Sequence, residues 1–215
     1  MPHPKRNMLK KLTIIGIALI TAGCAVNVPV IKKVTRLDKY GSPSELTFYS
    51  GEKELAVTKL DKYGRITEIK GSIPDGKVLT YSPEGKIFEA ADYKYGKPDG
   101  TVTLYNDDGS ITEETGYLFG KRVGLDTIYK EGKAVRKNIY SEDLLDGVCK
   151  SYYLNGKLKE EDPYVGGKRE GVYRSYYQNG NRETETVYKN DRQSGKTRYF
   201  DDYGFPMEQI IKDPN

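Results

Sequence analysis

The residues that most often carry catalysis are scarce in this chain of 215 residues. Its single histidine is His3, and its two cysteines are Cys24 and Cys149. That inventory supplies no histidine-based triad, no histidine-ligated zinc and no thiolate cluster. Carboxylates are plentiful, and a pair of them suffices for glycoside hydrolysis. A carboxylate-dependent hydrolase is therefore the one enzymatic reading left standing, although nothing in the sequence picks out the pair. Glutamate instead recurs on a period, at Glu45, Glu68, Glu89, Glu113, Glu160 and Glu208, each four residues after a glycine. An acid that returns in unit after unit is expected to hold register against Lys, Arg and Tyr hydroxyls rather than to form one site.

The period runs through most of the chain. Gly147–Gly156 and Gly171–Gly180 are two copies of one pattern, Gly-Val-Cys-Lys-Ser-Tyr-Tyr-Leu-Asn-Gly and Gly-Val-Tyr-Arg-Ser-Tyr-Tyr-Gln-Asn-Gly. Turn glycines follow one another at Gly41, Gly64, Gly85, Gly109, Gly132, Gly156, Gly180 and Gly204, in steps of 23, 21, 24, 23, 24, 24 and 24. Such regular spacing marks a repeat array. In the later units a glycine opens the unit and an aromatic follows five residues on: Tyr81, Tyr105, Tyr129, Tyr152, Tyr176 and Phe200. A second tyrosine closes five units, at Tyr93, Tyr117, Tyr140, Tyr164 and Tyr188. Helical spacing of apolar residues is absent, so each unit reads as a β-hairpin and the chain as an all-β antiparallel meander.

Turn length decides which residues face each other. A three-residue loop such as Leu154-Asn155-Gly156 sets Tyr152 opposite Leu158, Tyr81 opposite Ile87 and Tyr105 opposite Ile111, which gathers apolar residues on one face as a core. It also puts Pro83 at the first corner of a type I turn and glycine at the left-handed position. The same register pairs Lys150 with Glu160 and Arg198 with Glu208. Tyr153, Tyr173, Tyr177 and Tyr199 then share the opposite face, where clustered tyrosines make a candidate partner surface. Cys149 lies there too, as a small strand residue. Asp107-Asp108-Gly109 and Asp201-Asp202 lack the spacing of a calcium loop and read as turn residues.

Lys5, Arg6, Lys10 and Lys11, the apolar run Leu12–Ala22 and the small residues after it have the form of a secretory signal, with Met8 as an alternative start. Those four bases account for the whole surplus of +4; removing them from the 35 Lys and Arg leaves 31 against 31 Asp and Glu. A neutral exported chain lacks the basic excess of a nucleic-acid binder. Thr21-Ala22-Gly23-Cys24 resembles a bacterial lipobox, which implies cleavage before Cys24 and lipid on its sulfur. The expected organisation is a signal over 1–23, a lipidated tether over 24–34 and a repeat domain over 35–215.

The unit Gly-x-x-x-x-Tyr-Tyr-x-Asn-Gly-x-x-x-x-Glu-x-x-Tyr, matched at Gly147–Tyr164, resembles the bacterial variant of the MORN repeat. The resemblance runs from about Leu37 to Ile211. It implies an elongated array of hairpins used as a binding or scaffolding surface, with no catalysis and no cofactor. Many bacterial proteins of this pattern carry a YwqK-type antitoxin label, which implies a toxin as protein partner; export implies an immunity-like form of that role at the envelope. The expectation is a membrane-anchored, non-catalytic protein-interaction module, with a neutraliser of a toxin and a carboxylate hydrolase as the alternatives.

Overall fold

The computed structural model describes residues 28–82 and 84–207. The expected signal, Cys24, Pro83, Glu208 and the closing residues to Asn215 lie outside the described residues. Eighteen strands form one sheet, and no helix occurs among the described residues. They are β1 (Val30–Leu37), β2 (Pro43–Ser50), β3 (Lys53–Leu60), β4 (Ile66–Gly71), β5 (Gly76–Tyr81) and β6 (Ile87–Lys94). Then follow β7 (Lys97–Tyr105), β8 (Ile111–Leu118), β9 (Lys121–Lys130), β10 (Lys133–Ser141), β11 (Leu144–Leu145) and β12 (Gly147–Tyr152). The last are β13 (Leu158–Val165), β14 (Lys168–Arg169), β15 (Gly171–Tyr176), β16 (Arg182–Lys189), β17 (Arg192–Gln193) and β18 (Arg198–Tyr199). The expected tether therefore joins the sheet at Val30, and the repeat domain begins inside it.

Local chemistry fixes the turns. Gly41, Gly64, Gly85, Gly109, Gly156, Gly180 and Gly204 each donate their N–H to the carbonyl three residues earlier, with φ between 77° and 98°. These are the expected three-residue loops, and only glycine takes that backbone without strain. In the unit that is one residue short, Lys130 faces Lys133 across a two-residue loop with Glu131 and Gly132 both at positive φ. The opposite edge of the array carries two-residue turns of the same kind at Tyr95-Gly96, Phe119-Gly120, Glu142-Asp143, Gly166-Gly167 and Asn190-Asp191. Their backbones stack from unit to unit: Gly120 donates to Pro98, Asp143 to Arg122, Gly167 to Leu145 and Asp191 to Arg169, at 2.7–3.1 Å. Asp201 Oδ1 accepts from the N–H groups of Tyr203 and Phe205, and Asp108 Oδ1 from Ser110, so these acids serve their turns.

Past each turn the register departs from the expected one. Tyr152 does face Leu158, but Ser151 faces Glu160 and Lys150 faces Glu161, leaving Lys159 unpaired as a bulge. The same extra residue follows Ile87, Ile111 and Arg182. The partner of Lys150 is consequently Glu161, at 3.1 Å; Arg198 lies 3.4 Å from Glu185 on the preceding strand, and its expected pairing with Glu208 lies outside the described residues. A bulge turns the residue after it to the other side, so the recurrent glutamates sit opposite Thr80, Leu104 and Ser151, on the face away from Tyr81, Tyr105 and Tyr152.

That face, called inner here, is also the drier one. The expected core on the Tyr152 side is overturned: Tyr81, Ile87 and Ile111 on the outer face are 37–40% exposed, whereas Val78 and Cys149 on the inner face are 0% and 3% exposed. Bulges bend and twist a strand, and the covering of the inner face comes from the chain itself. The single meander is broken at one place, because β1 pairs parallel with β5 while β4 lies at the far side of β3. Phe48 of β2 meets Tyr93 of β6 edge-on, with ring centroids 5.8 Å apart. Those strands are three places apart in the sheet, about 14 Å if it were flat. The first four strands therefore curl over the inner face of the first hairpins. Phe48, Ala56, Ile73, Val78, Ala91 and Tyr93 form the core between the two layers, with Ile73 supplied by the segment joining β4 to β5. Small Ala56 and Ala91 let the layers approach, and Lys32 Nζ reaches Glu89 Oε1 at 2.5 Å.

Candidate interaction surface

Beyond β8 the inner face carries polar and aromatic side chains in rows set by the register. Tyr153 and Tyr177 stand at the glycine-turn edge. Ser151, Glu160, Ser175, Thr184 and Tyr199 follow as one row across five strands. Cys149 faces Asp162 in the next row, and Tyr173 faces Thr186. Tyr164 and Tyr188 close the far edge opposite Gly147 and Gly171.

The four tyrosines expected to share a face do so, together with Cys149, and the structure adds tasks for them. The Tyr153 hydroxyl donates to the Tyr176 carbonyl at 2.7 Å, and that of Tyr177 to the Phe200 carbonyl at 2.8 Å, each stapling one unit to the next. Tyr173 packs edge-on against Tyr188 at 6.4 Å. Tyr199 remains the most open of the four. Burial, with the charges of Glu160 and Asp162 behind it, pushes the Tyr173 hydroxyl up to about 12.

Arg169, Asp162 and Tyr164 form a knot that repeat matching does not announce. Arg169 Nη2 lies 2.8 Å and Nε 3.0 Å from Asp162 Oδ2, and the Tyr164 hydroxyl donates to the same oxygen at 2.9 Å. The guanidinium also lies 5.0 Å from the Tyr188 ring centre. Asp162 Oδ1 is buried without a partner. The one signal in the sequence is a departure from the column: register places Ala91, Thr115, Asn138 and Thr186 where this unit has Asp162. A second buried network joins Asp126 to Thr115 and Asn138, both at 2.7 Å.

Cys149 is a free, buried thiol, and burial pushes its pKa up. Since the thiolate is the nucleophile, the folded chain from Ala25 onward should react with iodoacetamide on the order of a hundredfold more slowly than the same chain in urea. Mass measurement of the alkylated fraction against time checks this; equal rates would place the thiol at the surface.

The outer face is an ionic ladder. Glu161 takes Lys150 and the Tyr176 hydroxyl, and Glu185 takes Arg174, Arg182 and Arg198. Val148, Lys150, Glu161, Pro163, Val172 and Arg174 line a shallow open depression of 290 Å³ there. Among the described residues no group of three His, Cys, Asp or Glu is placed to hold a metal ion.

Three stretches of the chain match the MORN repeat variant family: residues 74–95, 145–165 and 169–190. They coincide with the β5–β6 hairpin and with the two units that carry the Tyr-rich rows. The fold is accordingly a MORN-like array of hairpins, and MORN repeats are in general protein- or membrane-interaction modules. None of the curated proteins compared with the chain matches it.

Proposed function

We propose that this chain is a lipid-anchored, non-catalytic protein-interaction module of the bacterial cell envelope, exported by residues 1–23 and held through Cys24. The observation that carries the reading is the unequal use of the inner face. In the first hairpin it is a docking platform, filled by Phe48 and Lys32 of the chain's own strands. In the last units, among the described residues, the same face offers Tyr and Glu side chains with no strands of a second layer packed over them. The buried inner-face acids are already engaged, Asp162 by Arg169 and Asp126 by Asn138, which supports binding over hydrolysis. Neutralising a toxin by direct contact is a narrower form of the same function.

The test is crosslinking and affinity capture from membranes with the full lipidated chain. Tyr199→Arg puts a bulky cation on the open end of the inner face, and Val148→Arg does so on the outer face. Capture should fall about tenfold with the first and stay within about twofold with the second; the reverse pattern would move the interface to the outer face. Cys24→Ala should release the chain into the soluble fraction, and continued membrane retention would sink the anchor.

A further inference from the structure

Glu89 and Glu160 occupy the same place in their units. Each follows the turn glycine by four residues, and each faces a hydroxyl residue on the strand before, Thr80 and Ser151. At Glu89 the chain supplies a lysine. Lys32 Nζ meets Glu89 Oε1 at 2.5 Å, with side chains only 13% and 17% exposed, beside the Phe48–Tyr93 contact. At Glu160 the Ser151 hydroxyl takes Oε2 at 2.8 Å, and among the described residues no Lys or Arg pairs with the carboxylate.

The surroundings of Glu160 suit a cation. Ser175, its register partner on β15, donates to Glu183 at 3.0 Å, which brings the second acid to the same row. Tyr153 at the glycine turn and Tyr173 in the next row flank that row on either side, and burial, followed by the charges of both carboxylates, opposes ionisation of their hydroxyls. One row deeper, Asp162 is 8% exposed and keeps Oδ1 buried without a partner. Aromatic faces beside carboxylates bind alkylammonium and guanidinium groups, the rings taking the aliphatic stem and the acids the charge.

We propose that Glu160 and Glu183, walled by Tyr153, Tyr173 and Tyr177, receive a lysine side chain from an extended segment of a protein partner, as Glu89 receives Lys32 within the chain. The inference rests on the inner-face binding function above and adds the chemistry of the partner. Recognition is electrostatic at its centre, so it weakens with salt. The occupant resembles the chain's own β1–β2 pair: a basic residue with an aromatic residue beside it.

Zero-length carbodiimide coupling on intact membranes reads this directly, because it joins a carboxylate to an amine in contact. The Lys32–Glu89 adduct within the chain is the internal control. The expected result is a mapped adduct between Glu160 or Glu183 and a lysine of another protein, reduced at least fivefold in Glu160→Gln/Glu183→Gln. Both amides keep an oxygen for the Ser151 and Ser175 hydroxyls, and an unchanged melting temperature verifies the fold. Adducts to another protein at other sites, with none at Glu160 or Glu183, overturn the inference and leave the binding function standing. Intermolecular adducts found only to an isotope-labelled second copy replace the partner with self-assembly. The control adduct alone, with no adduct to any protein, overturns both.

Discussion

Phe48→Ala is expected to destabilise the amino-terminal lobe by about 3–5 kcal/mol, the range for emptying a buried phenylalanine site. Phe48 is fully buried, and it is the main wedge between β2 and the layer carrying Val78, Ala91 and Tyr93. In a chain of this size such a loss lowers the melting temperature by roughly 10 °C. The unfolding should also change shape. Units of a repeat array contact only their neighbours, so β1–β4 should melt ahead of β12–β16 as a separate step. Hydrogen exchange gives the decisive reading: amides of Val30–Gly71 lose protection first, while those of Gly147–Lys189 keep it. A single transition at the wild-type midpoint would show that the lobe is not held by this contact. Because Lys32 and Glu89 lose their cover with it, the variant also uncovers the inner face of the first hairpin.

What the sequence reveals of this fold follows from how local each determinant is. The turn glycines are legible because a left-handed backbone position demands glycine whatever surrounds it. The pairs Tyr81–Ile87 and Tyr152–Leu158 follow from loop length alone. The two-residue turn at Glu131-Gly132 shows as a step of 23 where its neighbours step 24. The bulge after each turn is different. Lys157-Leu158-Lys159-Glu160-Glu161 reads equally well with Glu160 or Glu161 opposite Lys150, since both are acids that a lysine would accept. Only the curl of the whole sheet chooses, and that choice exchanges core and outer face. The fold-back of β1–β4 is equally hidden, because Thr35–Gly41 and Thr58–Gly64 repeat each other almost letter for letter and look like ordinary units. At the candidate surface, the shared face of Tyr153, Tyr173, Tyr177 and Tyr199 is legible by counting along strands. The Arg169–Asp162 knot is not, since Asp162 stands where the other units have Ala91, Thr115, Asn138 or Thr186 and only this unit has it.

That knot carries the second large prediction. Arg169→Met keeps the length of the side chain and removes its charge, leaving Asp162 buried beside Tyr164 with no cation. Breaking a fully buried pair from one side costs about 3–5 kcal/mol. The Arg169 side chain is 38% exposed and that of Asp162 is 11%, so water recovers part of the loss and roughly 2–3 kcal/mol is expected. Some of it belongs to the contact of the guanidinium with Tyr188 at 5.0 Å, worth about 0.5–1 kcal/mol at a half-open site. Asp162→Asn in the Arg169→Met background removes the stranded charge and keeps an oxygen for the Tyr164 hydroxyl, so the double variant should regain at least about 1 kcal/mol over Arg169→Met alone. Urea melts of the four chains close the cycle. If the single and double variants unfold at the same midpoint, Asp162 and Arg169 are an ordinary surface pair. If the double variant recovers, the pair is what holds Tyr164, Tyr173 and Tyr188 in one arrangement. In that case Arg169→Met should weaken partner capture without touching Glu160, since a receptor for a cation needs its aromatic walls already in place.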